Sequence, residues 1–101
     1  MEIIISKNNV PIRLTDERWL HITEEHSEMA GYYYDVLETV GLPDIIYEGK
    51  AGECMAVKEI EKEKYIVVVY KELNIKDGFV ITSFLTKRKK QLEKRKILWQ
   101  Q

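Results

Sequence analysis

Imidazole is the side chain that gives and takes protons near neutral pH, and this chain holds two, His21 and His26. They stand five residues apart, about 140° around a helix, so they would not chelate one metal ion. Lys71 can hold an anion, and the hydroxyls of Thr82 and Thr86 can orient one. Lys87-Arg88-Lys89-Lys90, followed by Lys94-Arg95-Lys96, can neutralise several phosphates and gain from counterion release. Phe84, set between the two threonines, is the kind of ring on which a base stacks. Each group also has a structural reading. A histidine on an apolar helix face packs, a strand ends on Lys71, threonine is a good β-former, and a basic run is a solvated helix. Clustered His, Cys and carboxylates are scarce, so no metal site and no cofactor are expected.

Other eye-catching groups point to structure. Tyr32-Tyr33-Tyr34 at helical spacing puts at least one ring in the core. Gly49-Lys50-Ala51-Gly52 joins two strands and has no helix after it, so it is not a phosphate loop. Cys54 has no basic neighbour in sequence and reads as a small core residue.

What must position the chemistry-bearing side chains is the stretch Tyr65–Thr86. Two branched and aromatic runs flank Asn74-Ile75-Lys76-Asp77-Gly78, which predicts a hairpin with a loose or bulged turn. Ile66–Val69 is apolar at every position, which marks a central strand buried on both faces. Upstream, Glu2–Ser6 and Pro11–Leu14 predict a short edge hairpin, since Pro11 cannot donate to a ladder. Thr15 followed by Asp16 and Glu17 predicts a capped helix carrying Trp19, Ile22, Thr23 and His26 on one face. Ser27 predicts the cap of a second helix, which Gly41 and Pro43 end. Asp44–Tyr47, Glu53–Ile60, Tyr65–Leu73 and Phe79–Thr86 then read as four strands, joined too closely for parallel crossovers.

The expected class is α+β. N-terminal helices pack on one face of a four-stranded antiparallel meander sheet, with the edge hairpin before it and a basic C-terminal helix or tail after it. The whole of residues 1–101 forms one domain, with the tail at 87–101. On the last strand Ile81, Ser83 and Leu85 are expected under the helices, with Val80, Thr82, Phe84 and Thr86 on the open side.

Charge is unevenly placed. Residues 1–64 carry 7 Lys/Arg against 14 Asp/Glu, a formal −7, and residues 65–101 carry 9 against 3, a formal +6. The single cysteine excludes an internal disulfide. With no secretion signal at Met1–Ile5 and no run near the ~20 apolar residues of a membrane span, a reducing, cytoplasmic setting is expected.

The pattern LTDERWLHITEEHSEM, then LPDIIYE, KYIVVVYKE, DGFVITSFLT and a closing ILW resembles the phage-type branch of the barnase–EndoU–colicin–RelE (BECR) nuclease group. The resemblance runs from about Leu14 to Trp99. Its most specific parts are Trp19–Ile22 with His26-Ser27-Glu28, where members show His-Pro-Glu, and Val80–Thr86. It implies a metal-independent ribonuclease fold, often deployed as a toxin or phage-borne effector. RNA cleavage of that kind needs the 2′-OH activated, the phosphorane charge stabilised and the leaving 5′-oxygen protonated. The catalytic candidates are then His26, His21, Lys71, Thr82 and Thr86, with Lys87, Arg88, Lys89, Lys90 and Phe84 to hold RNA. RNA and an antitoxin or immunity protein are the partners so implied. The second reading is a non-catalytic module of the same fold that binds RNA or a protein.

Overall fold

The computed structural model describes residues 1–101. In chain order the elements are β1 (Glu2–Ile5), β2 (Pro11–Leu14), α1 (Asp16–Glu25), a 3₁₀ turn (Ser27–Gly31), α2 (Tyr33–Gly41), β3 (Ile45–Glu48), β4 (Cys54–Glu61), β5 (Lys64–Asn74), β6 (Asp77–Thr86), α3 (Lys89–Leu92) and β7 (Ile97–Gln100). All seven strands join one sheet in the order β1-β2-β6-β5-β4-β3-β7.

This corrects the expected four-stranded meander. β3 to β6 pair antiparallel in sequence order, but they are only the middle of the sheet. β2 of the N-terminal hairpin runs parallel to β6, with Ile12 beside Gly78 and Arg13 beside Phe79. At the other flank β7 pairs antiparallel with β3. The expected basic tail is therefore a four-residue helix followed by a seventh strand. Long-range pairing of this kind has no local signature, which is why strand composition alone could not place the two flanks.

The sheet curls around α2. Ile4 side-chain carbons come within 3.1 Å of where a Cβ on Gly41 would stand, and Lys7 in the β1–β2 turn lies 4.9 Å over the Trp99 ring of β7. The concave side holds the larger core. Ile12, Leu14, Ile66, Val68, Tyr70 and Val80 from the strands meet Ile22, Met29, Val36 and Val40 from the helical pieces. Val68 is fully buried between Ala56 and Ser83, as a central strand requires. No helix is long and apolar enough to cross a membrane.

Two local features differ from the sequence pattern. The hairpin turns at Ile75-Lys76, with the Asn74 side chain accepting from the Lys76 amide at 2.8 Å. Gly78 is not a turn residue but a close-approach residue: a Cβ there would stand 2.6 Å from both Ile12 Cδ1 and the Lys71 carbonyl oxygen. Its bareness lets β2 dock against β6. The expected second helix is also split. His26 occupies the position before the 3₁₀ turn and Ser27 gives no side-chain cap, so α2 begins only at Tyr33.

Candidate functional site

The convex face of the sheet is set by strand alternation. Opposite pairs Val69–Thr82, Val67–Phe84 and Tyr65–Thr86 place both threonines and Phe84 on this face, away from α1 and α2. Ser83 and Leu85 lie on the helix side, where the Ser83 hydroxyl donates to the Val67 carbonyl at 2.7 Å. Val80, expected on the convex face, is instead in the helix-side core. The cause is a bulge: the register shifts so that Val69 faces Thr82 while Tyr70 faces Val80, and Ile81 is the extra residue.

Residues 87–96 do not extend into solvent; they cross this face. Leu92 is buried against Tyr47, Met55, Val57, Tyr65 and Val67. The segment acts as a strap with its apolar side down, and none of its seven lysines and arginines is in an ion pair. Where the strap leaves β6 it forms a cavity of about 160 Å³ lined by Met55, Phe84, Thr86, Arg88, Gln91, Leu92 and Arg95. No carboxylate lines it. Two guanidiniums, a glutamine, a threonine and an aromatic ring are the donors and the platform that a phosphate or a flat base requires. Beyond the rim, Lys87, Lys89 and Lys90 line a wider groove of about 500 Å³ with Tyr65, Glu63 and Glu93.

His26 meets this group through Phe84. It is the hinge between two helical pieces: its amide donates to the Ile22 carbonyl at 2.7 Å, and its carbonyl accepts from Met29 at 2.9 Å. That junction holds the imidazole at the margin of β6, with its ring 6.0 Å from the Phe84 ring. Glu28 Oε2 lies 3.7 Å from Nδ1, and the side chain is 33% exposed, so the imidazole is half-open to a ligand. Thr86 Oγ1 accepts from the Arg88 amide at 3.0 Å, which fixes the turn that presents the first guanidinium.

The other candidates are placed differently. Thr82 Oγ1 is buried and has no hydrogen-bond partner, a costly state for a hydroxyl unless something supplies one. Lys71 is exposed on the same face, opposite Phe79, two strand pairs beyond Thr82 and past the bulge. His21 stands on the exposed side of α1, 3.9 Å from Glu17. Phe84, Thr86 and Arg88 thus line one cavity, His26 meets them only through the Phe84 ring, Thr82 and Lys71 continue the row along β6 and β5, and His21 is left outside. Sequence reasoning alone does not single out Arg95 and Gln91. Arg95 belongs to a basic cluster, but only the strap's fold-back shows that it faces the same cavity as Arg88.

Cys54 is free and buried beside Tyr70. Burial pushes its thiol upward, reinforced by the Glu72 carboxylate, so it is not an activated nucleophile. No group of three or more His, Cys, Asp or Glu is placed to hold a metal ion. Comparison with protein-family models, curated proteins and solved structures finds no match, so the functional reading rests on the residues themselves.

Proposed function

We propose that this chain is a metal-independent endoribonuclease, a toxin or phage-type effector of the reducing cytoplasm, that works along the convex side of β6. The observation that carries the reading is the single Phe84 ring shared by two neighbours. The His26 ring lies 6.0 Å from it, and Phe84 also lines the cavity that holds Arg88, Arg95 and Thr86. An unpaired base stacks at Phe84, and the two guanidiniums take the phosphate and its developing charge. His26 moves the proton of the 2′-OH or of the leaving 5′-oxygen. Thr82 and Thr86 orient the phosphate, and Lys71, opposite Phe79, offers a cation at the other end of the row. The unpaired cations of the strap also offer an acidic antitoxin or immunity protein its docking surface.

The test is direct. His26→Ala is expected to lower RNA cleavage by about 10²–10⁴-fold while leaving RNA affinity nearly unchanged. Cleavage is expected to persist in EDTA and to leave a 2′,3′-cyclic phosphate. If His26→Ala cuts as fast as the parent, the catalytic assignment fails. The second reading, a non-catalytic RNA-binding module, draws support from one observation: only one of the two imidazoles reaches the group, since His21 is turned out against Glu17. Folded protein that binds RNA and cuts none would establish it.

A further inference from the structure

The strap closes a second cavity on the other side of Leu92, and its chemistry is opposite. It measures about 220 Å³ and is lined by Asp44, Tyr47, Glu59, Tyr65, Lys89 and Glu93 over an apolar floor. Three carboxylates against one lysine leave it a formal −2. Asp44 spends one oxygen on the Glu59 amide at 2.8 Å, and Glu59 spends one on the Glu63 amide at 2.9 Å. The remaining oxygens, including both of Glu93, are in no ion pair. Tyr47 supplies an independent observation. It is only 4% exposed, it lines this cavity, and its hydroxyl has no hydrogen-bond partner within the protein. The fully buried unpartnered hydroxyls are those of Tyr70 and Thr82, so Tyr47 Oη keeps an accessible edge that opens onto the cavity this residue lines.

We propose that this cavity is a binding site for an organic cation, an alkylguanidinium or alkylammonium group. Tyr47 Oη and the free carboxylate oxygens accept its N–H groups, the Tyr65 face lies beside the charge, and Ile45, Val57 and Leu92 pack the alkyl stem. The Tyr65 ring already has an ammonium, Lys89 Nζ, 5.9 Å from its centre. The Tyr47 phenol stays neutral, because burial and then the Glu93 charge push its ionisation upward. A bare metal ion does not suit the site, since its carboxylates are not gathered into a ligand cluster. A nucleic-acid phosphate is repelled by it. The proposal is therefore independent of the nuclease reading.

Two sources carry this chemistry, a free polyamine and the arginine or lysine side chain of a partner protein. The experiment titrates the intact, isotope-labelled protein with agmatine, spermidine and N-acetylargininamide, and follows backbone amide shifts. Saturable shifts confined to Asp44, Tyr47, Tyr65, Leu92 and Glu93 are expected. Glu93→Gln is expected to weaken binding about tenfold or more, and Tyr47→Phe several-fold. Neither change threatens the fold, because Glu93 is exposed and the Tyr47 hydroxyl bonds nothing. Tighter binding of N-acetylargininamide than of spermidine assigns the site to a protein side chain, and the reverse order assigns it to a polyamine. Shifts that spread over the acidic surface without saturating, or undiminished binding by Glu93→Gln, overturn the proposal.

Discussion

Leu92→Ala separates a packed strap from a solvated basic tail. Leu92 is 7% exposed and lies against five residues of β3, β4 and β5. Full burial of a leucine contributes about 1.5–3 kcal/mol, and a cavity left behind adds to the cost. Here the addition is small, because open cavities flank Leu92 on both sides and the strap can settle into the gap. The resulting loss is about 2 kcal/mol, or roughly a thirtyfold rise in strap opening. The loss should be local. The four-residue α3 is held only by short-range bonds such as Glu93 N to Lys89 O at 3.0 Å and Arg95 N to Leu92 O at 3.0 Å, and a helix that short has no stability of its own. Native-state hydrogen exchange reads this directly. Protection at Gln91, Glu93 and Arg95 should fall by about that thirtyfold, while the amides of Val67 and Val68 keep theirs. RNA affinity should fall in parallel, since Arg88 and Arg95 lose their fixed geometry. Equal protection in parent and variant would refute the reasoning.

Val68→Asp should unfold the protein, because an unpaired carboxylate would enter a fully buried position at a cost of several kcal/mol; a melt within a few degrees of the parent contradicts it. Replacing Lys87, Arg88, Lys89 and Lys90 by Gln should flatten the salt dependence of RNA affinity by about one unit of slope for each phosphate left unneutralised, and adding Arg95→Gln should flatten it further. Tyr70→Phe tests the buried phenol. Burial, then Cys54 and Glu72, hold its ionisation far above the ordinary value of 10.0, so its stabilising share is intact below that value and is lost as pH rises beyond it. Because the hydroxyl has no hydrogen-bond partner, the variant should match the parent at neutral pH within about 1 kcal/mol. It should then keep more stability in alkaline urea melts, and an identical alkaline decline would sink the argument.

Local chemistry is readable where one residue decides the outcome. Thr15 is legible as a helix cap, and its hydroxyl accepts from the Arg18 amide at 3.1 Å. Alternation is legible at Thr82, Phe84 and Thr86, but not at Val80 and Ile81, because a bulge adds a residue without changing composition. The Asp77-Gly78 pair looks like turn chemistry, yet Gly78 serves an approach to Ile12, which lies far away in sequence. The strap is least legible. Its basic composition reads as a surface helix, and the single Leu92 that pins it is too weak a signal among seven cations. For the site, His26 and Phe84 are visible separately, and their meeting depends on the hinge that ends α1.

Strand order also bears on how the protein is made. Synthesis delivers β3 to β6 as a run of adjacent pairings that can form as they emerge, and domains fold largely as the chain appears. β2 must wait for Gly78 before it has a neighbour in the sheet beyond its own hairpin. Leu92 and β7 arrive last, so the ring of Tyr47, Met55, Val57, Tyr65 and Val67 is uncovered on the nascent chain until residues 87–100 leave the ribosome. The same residues bring Arg88 and Arg95 to Phe84. A chain halted at Thr86 would display a sticky apolar patch and a free β3 edge, and would lack the cations of the site. Completion of this sheet and completion of the candidate site are thus one event, set by the emergence of residues 87–100.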